Sequence, residues 1–394
     1  MMGLPLDGIT VIALEQAVSA PFTTRQLADW GARVIKVEQP GVGDRARRFD
    51  EAVLGQSSYF VWLNRGKESV TLDLKTKSGM EIFETLLGKA DVLVQNLGPM
   101  AFDRLGLSPT QISQQFPHLI GCHISGYGLD GPYRDRQAND LLIQADTGLL
   151  STTGTPEHPA KVGVPVADLA AGMYGLTSVL MAILQRQQTH QGTIIDVSML
   201  EALAEWMGHP LNLAHFSSQD PPRSGAHHAT MAPYGLYSVA EGEDVFLAVE
   251  NEDEWRAFCG EVLQQSEMSN DPHFVTNAAR VENRDLLQTA ISGIFSGIGL
   301  EEVLARLEQA HIAYAHLNSV EQLWHHPQLY ARQRWSSITI PGGTVGALLP
   351  PMIFSDADPL MGDVPVLGGH TDGVLRELGF SDEAIMGLRA KGVI

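Results

Sequence analysis

The chain holds only two cysteines, Cys122 and Cys259, far apart and without metal-ligand spacing. That excludes a disulfide framework and a zinc site of the usual pattern, and unpaired thiols suit a cytoplasmic location. Basic residues are also scarce, with 26 Lys and Arg against 46 Asp and Glu, a formal charge of −20 at pH 7. Such a chain repels nucleic acid and anionic membrane, so an anionic ligand needs a locally positive site. No uninterrupted apolar run reaches the ~18 residues of a membrane span, and Met1–Asp7 lacks the basic and apolar regions of a secretion signal. A soluble protein is expected.

Several catalytic signatures are missing as well. Glu15-Gln-Ala-Val-Ser-Ala-Pro-Phe22 stands where a dinucleotide loop would carry Gly-x-Gly-x-x-Gly, which argues against NAD. A turn of small residues there, with Pro21 near the helix start, still leaves backbone N–H groups for an anion. Ser125-Gly-Tyr-Gly128 lacks the first glycine of a serine-hydrolase elbow. The adjacent pairs His227-His228 and His325-His326 have no helical metal spacing and suit surface or packing roles, so no metal is expected.

What is present is an alternation of short β-branched runs with helical segments in a 394-residue chain of 44% hydrophobic content, enough for a large core and two domains. Strands are expected at Ile9–Leu14, Arg33–Glu38, Ser69–Leu74, Val92–Gln95, Leu119–Ser125 and Thr193–Ser198, with helices at Thr23–Trp30, Gly79–Gly88 and Leu169–Arg186. This pattern makes βαβ units, hence an α/β, Rossmann-like domain with a mostly parallel sheet. The polar, proline-bearing stretch Phe216–Gly225 reads as a linker. Beyond it, Gly235–Val239 and Asp244–Val249 suggest a hairpin. Helices at Glu252–Leu263, Arg284–Ser296 and Leu300–Ala310 complete a smaller α+β domain. Ile338–Pro350 reads as loop-rich, before a last helix at Asp382–Ala390. The expected division is 1–215, 216–330 and 331–394.

Two features bear on chemistry. Asp168 is the one carboxylate in the otherwise small or apolar run Gly163–Gly175. Burying a charge there needs a reason, and the local pattern favours a helix cap or first-turn residue over a nucleophile. The second feature is a scatter of cations near strand ends: Arg45, Arg47, Arg48, Arg65, Lys67, Lys75, Lys77 and Arg104. Ligands of α/β sheets bind at the carboxyl ends of strands, so these would suit a phosphorylated ligand.

The motifs, taken in order, resemble the class III CoA-transferase (CaiB/BaiF) family, formyl-CoA transferase among its members. The matching segments are Ala32-Arg-Val-Ile-Lys-Val-Glu38 with Pro-Gly-Val-Gly-Asp44, Asn64-Arg-Gly-Lys-Glu-Ser69 with Leu72-Asp-Leu-Lys75, and Asp91-Val-Leu-Val-Gln-Asn-Leu-Gly-Pro99 with Asp103-Arg-Leu-Gly106. Ser125-Gly-Tyr-Gly, Gly131-Pro132, Ala167-Asp168, Met231-Ala-Pro-Tyr234 and Pro365-Val-Leu-Gly-Gly-His370 extend the likeness over most of the chain.

The resemblance implies an enzyme that moves CoA between carboxylic acids through an aspartyl anhydride and an aspartyl-CoA thioester, with Asp168 as nucleophile. Acyl-CoA is then a substrate, with neither metal nor NAD required. The implied CoA contacts are Val18, Ser19, Gln39, Leu72, Lys75, Asn96, Leu97 and Arg104, with Asn139 and Asp140 nearby. Formyl-CoA transferase has glutamine and arginine at the positions of Val18 and Gln39, which shifts phosphate binding here toward Lys75 and Arg104. Racemases of the family use a His-Asp pair where this chain has Asn139-Asp140, and asparagine cannot shuttle a proton. Transferase is therefore expected over 2-methylacyl-CoA racemase or a non-catalytic CoA-binding protein. Succinyl-CoA is the expected donor and a short dicarboxylate such as itaconate, mesaconate or oxalate the acceptor, with Arg47, Arg48 and the His227-His228 loop as candidate carboxylate ligands. The family also implies an interlocked homodimer whose C-terminal segment returns to the large domain.

Overall fold

The computed structural model describes residues 3–394; the first two residues of the Met1–Asp7 stretch lie outside the described residues. It divides into two compact units, one formed by Met1–Thr147, Val162–Gly208 and Leu329–Ile394 and the other by Gly148–Lys161 and His209–Gln328. The chain thus enters the second unit once before the expected boundary near 216, through a short excursion at 148–161.

In the first unit, six strands form one sheet: β1 (Thr10–Leu14), β2 (Arg33–Glu38), β3 (Lys67–Thr71), β4 (Val92–Gln95), β5 (Ile120–Ser125) and β6 (Ile194–Ser198). Every pairing is parallel and the spatial order is β3-β2-β1-β4-β5-β6. The near-continuous apolar runs of β1 and β4 follow from burial on both faces. Order reverses between β1 and β4, the switch point at which the loops leaving two neighbouring strands diverge and open a crevice.

The third strand lies earlier than expected, at Lys67–Thr71 rather than Ser69–Leu74, because its register with β2 pairs Val34 with Lys67 and Glu38 with Thr71. Lys67 read as a cation at a strand end, yet its ammonium is fully buried against Glu15. Charge inside a strand hid the strand's start.

The helices Ser19–Asp29 and Val166–Thr189 pack on one another and the latter also meets β5. Val166–Thr189 has the length and mean hydropathy (1.6 over its most apolar window) to cross a membrane, but half of that window is buried in the fold. Its small residues allow close approach: Thr23 Oγ1 donates to the Gly172 carbonyl at 2.8 Å. Both helices start earlier than expected, since short or small residues at Ser19, Ala20 and Ala167 weaken the apolar period at the first turn.

The stretch expected to be loop-rich holds an antiparallel hairpin of Trp335–Ile340 with Gly343–Leu348. Ile338 and Ile340 point into a cluster with Phe60, Val61 and Val364, and Gly342, at φ 107°, makes the turn between the strands. From there the chain runs along the sheet edge, where Thr371 Oγ1 accepts the Thr71 N–H at 3.0 Å and the His370 N–H reaches the Ser69 carbonyl at 2.9 Å. Helix Asp382–Ala390 lies where expected.

The second unit has a three-stranded antiparallel sheet of β7 (Tyr234–Ser238), β8 (Asp244–Ala248) and β9 (Ala313–His316). The first two make the expected hairpin; β9 escaped notice because its side chains are exposed and carry no alternation. Trp255, Phe258, Leu287, Ile291, Phe295 and Leu307 fill the core beneath. Helix Gly208–Ser217 runs into the stretch expected to begin the linker.

Candidate active site

The crevice at the switch point is a cavity of about 400 Å³, and all of its lining belongs to the first unit. The turn after β1 supplies Gln16, Ala17 and Ser19; the loop after β4 supplies Asn96 to Ala101, then Arg104; the end of β5 supplies Ser125 and Gly126. Segment 134–140 and Asp168 also line it.

The two loops at the switch point are stitched together by Asn96. Its Oδ1 accepts the Gln16 N–H at 2.8 Å, and its Nδ2 donates to the Gln16 carbonyl at 2.8 Å and to Ser19 Oγ at 3.2 Å. The N–H and hydroxyl of Ser19 lie toward the Asp168 carboxylate and favour its charged form. Asp168 is the third residue of Val166–Thr189, and the cap of that helix comes from elsewhere. Pro165 occupies the cap position without a side-chain bond, while Asp140 Oδ1 accepts from the Ala167 N–H at 2.8 Å and the Asp168 N–H at 3.3 Å. With Asp140 meeting the positive end of the helix, Asp168 is free to face the cavity.

The electrostatics oppose one another. Burial, with the Asp140 carboxylate beside it, pushes the Asp168 carboxyl up to about 6, against the two Ser19 bonds and the charge of Arg45. Only part of the rise is cancelled, so the group is ionised at neutral pH yet more basic than an exposed aspartate. That suits a carboxylate asked to attack and then to leave.

Of the expected cofactor contacts, Ser19, Asn96, Leu97, Arg104, Asn139 and Asp140 line this cavity. Gln39, Leu72 and Lys75 line an adjoining cavity of about 170 Å³ that shares Gln16 and Leu97 with the first. Lys75 and Arg104 meet in a third, about 660 Å³, with Lys77. Val18 is different: it is buried beside Ala17 and Leu63 and lines none of these cavities.

The scatter of cations resolves into two groups. Arg65 forks onto Asp29 with both bonds at 2.8 Å, Lys67 holds Glu15 at 2.7 Å, and Arg47 holds Glu38 at 2.7 Å over the Phe60 ring. These three are consumed in buried pairs and are not the phosphate ligands that their position in sequence suggested. Arg48 lines none of the three cavities, and His227-His228 belongs to the second unit. What reaches the cavities is Arg45, Lys75, Lys77 and Arg104.

The sequence did not mark Arg134, Arg136 or the loop Gly98–Ala101 as lining residues. Arg134 pairs with Asp103, and Arg136 with Asp146 at 3.2 Å. Their segment has neither strand nor helix period, and Gly131-Pro132 was its one signal.

Residues 6–371 match the model described as CoA-transferase family III. The chain belongs to that family and is a class III CoA-transferase, whose substrates are CoA thioesters. It is 34% identical to an acetyl-CoA:oxalate CoA-transferase of Acetobacter aceti over 86% of this chain and 88% of that protein. It is 30% identical to the human succinyl-CoA:glutarate CoA-transferase over 99% of this chain and 90% of that protein. The crystal structure of a CaiB/BaiF family protein from Brucella suis superimposes with a TM-score of 0.85 at 31% identity, covering 96% of this chain and all (100%) of that one.

Proposed function

We propose that the protein transfers CoA from an acyl-CoA to a short dicarboxylate through two kinds of covalent intermediate on Asp168. The observation that carries this reading is the Asp168 carboxylate on the wall of the switch-point cavity, its charged form favoured by the Ser19 N–H and hydroxyl. One carboxylate oxygen attacks the donor thioester carbonyl, the C–S bond breaks, and an acyl-aspartyl anhydride forms with release of CoA thiolate. The thiolate attacks the aspartyl carbonyl, expelling the donor acid as carboxylate and leaving an aspartyl-CoA thioester. The acceptor carboxylate repeats the sequence in reverse, and Asp168 returns as carboxylate. No proton crosses in the net reaction, in keeping with Asn139, rather than a histidine, on the cavity lining.

In this reading the CoA phosphates lie toward Lys75 and Arg104, and the adenosine end toward Gln39 and Leu72 in the adjoining cavity. Succinyl-CoA is the donor to test first, because relatives are named for transfer from succinyl-CoA to glutarate and from acetyl-CoA to oxalate. The reading includes a cytoplasmic, interlocked homodimer with no folded monomer, which a denaturant titration followed by sedimentation would reveal as loss of dimer and of fold together.

The experiment is mass spectrometry of the peptide bearing Asp168 after incubation with succinyl-CoA. The expected result is a CoA adduct on Asp168, absent in Asp168→Ala, with transfer to a panel of dicarboxylates lost in the same variant. Full transfer by Asp168→Ala would overturn the mechanism. Deuterium exchange into a 2-methylacyl-CoA without an acceptor would point to racemase chemistry instead.

A further inference from the structure

Arg45, Arg104, Arg134 and Arg136 line the cavity around Asp168. Arg134 is committed to Asp103 and Asp135, and Arg136 to Asp146. Arg104 lies where the cavity adjoins the Lys75 and Lys77 surface. Arg45 is exposed and, among the described residues, has no ion pair and no side-chain hydrogen bond. In a chain of formal charge −20, a guanidinium left open beside a nucleophilic carboxylate stands out.

Its position is also fixed. The turn Arg45–Arg48 starts at Asp44, whose Oδ1 caps it through the Ala46 N–H at 2.8 Å and accepts the Ala17 N–H at 3.0 Å. Ala17 stands two residues before Ser19, which favours the charged form of Asp168. One buried carboxylate therefore ties the base of Arg45 to the turn that grips the nucleophile. Asp44 is itself held by Lys36 at 2.8 Å with both side chains fully buried, so this base is rigid.

We propose that Arg45 is the specificity-determining residue that binds the second, non-reacting carboxylate of the acyl group, selecting dicarboxylic acids over monocarboxylic ones. This rests on Asp168 being the acceptor's point of attack. The free carboxylate of the donor acyl group meets both Asp168 and Asp140, and a dianionic acceptor attacking the neutral aspartyl-CoA thioester still meets Asp140, so each is repelled. A planar, permanently charged fork matched to a carboxylate offsets that repulsion and orients the far end of the acid, leaving the near carboxylate for the thioester carbonyl. Donor and acceptor occupy the same place in turn, so one arginine serves both half-reactions. Arg47, Arg48 and the His227-His228 loop are not required for this role.

The test compares wild type with Arg45→Met and Arg45→Lys in steady-state kinetics, using glutarate and succinate against valerate and butyrate as acceptors. In a double-displacement scheme kcat/KM for the acceptor reports its own half-reaction, whatever the donor. For Arg45→Met, kcat/KM for the dicarboxylates falls roughly 10- to 100-fold, the effect of losing one charge-assisted hydrogen-bond pair. It stays within about threefold for the monocarboxylates, with Arg45→Lys between. An equal fall for both acid classes, or no fall, overturns the proposal, as does a wild-type enzyme that does not prefer dicarboxylates. Labelling of Asp168 by acetyl-CoA is read in parallel. Its retention in Arg45→Met shows a folded, competent site, whereas its absence in wild type defeats the Asp168 mechanism rather than the role of Arg45.

Discussion

The Ala17 N–H donates to Asp44 Oδ1 at 3.0 Å while Ala17 itself sits at φ 62°, in the left-handed region. A residue with a side chain pays about 1–2 kcal/mol for that conformation, and the bond to a buried carboxylate holds it there. Asp44 also pairs with Lys36, which shares Glu15 with Lys67, so the turn that presents Ser19 rests on a buried network of alternating charge.

Removing Asp44 strands Lys36 with one partner fewer and frees the Ala17 turn. Asp44→Ala is expected to lower unfolding free energy by about 3–5 kcal/mol in urea titrations, the usual cost of breaking a buried pair on one side. Ala17→Gly in the same background should recover some of the lost stability, because glycine takes positive φ without strain. No recovery would mean that Asp44 acts only through Lys36.

The pH dependence of transfer follows from Asp168. Only its carboxylate attacks, and its carboxyl is pushed up to about 6 by burial and by Asp140. Transfer should therefore climb as pH rises through about 6 and level off above 7, measured with an acceptor whose own carboxyls are ionised throughout. For stability the sign is opposite. The folded value lies above the unfolded one near 3.8, so the ionised group costs stability above about 6 and nothing below about 4. Asp168→Asn should raise the urea midpoint at pH 7.5 and leave it unchanged at pH 4.

Glu38 gives the reverse dependence. Despite its burial, the Arg47 guanidinium, the Lys36 charge and the Ser69 hydroxyl hold its carboxyl down to about 2. Its contribution is present above about 4.5 and is lost as pH falls toward 2. Acid titration of Glu38→Gln should show a less stable protein at pH 7 whose stability falls less steeply between pH 4.5 and 2 than that of wild type. An unchanged slope would show that other carboxylates govern the acid limb.

The sheet was legible because β1, β2, β4 and β5 are buried on both faces and their composition says so; the switch point was not, because it depends on which strands pair in space. Asp168 was legible as an isolated charge and as a motif position, but its freedom from capping was not, since the cap is supplied by Asp140, 28 residues away in sequence. The cations misled for a similar reason. Nothing local distinguishes Lys67, paired inside the core with Glu15 at a separation of 52 residues, from Lys75 on the surface. Long-range pairing decides which charges reach a ligand, and spacing along the chain does not encode it.

The contact between the two helices bears on Ser19 and Asp168 directly. A Cβ at Gly172 would lie 2.7 Å from the Ser19 carbonyl oxygen and 2.9 Å from Phe22 Cδ1. The carbonyl is backbone and cannot swing away, so Gly172→Ala must push Ser19–Asp29 and Val166–Thr189 apart. Gly175 offers the control. A Cβ there meets Thr23 Oγ1 at 2.8 Å and Ile124 Cδ1 at 3.0 Å, one turn further from Asp168 and against side chains. Both substitutions should cost stability, on the order of 1–3 kcal/mol for overpacking. Gly172→Ala alone should also lower kcat with little change in acceptor KM, because moving Ser19 away from Asp168 removes what favours the ionised nucleophile. Its pH midpoint for transfer should then move above 6, while that of Gly175→Ala stays in place. Equal kinetic losses in the two variants would show that the helix interface supports the fold alone and does not tune Asp168.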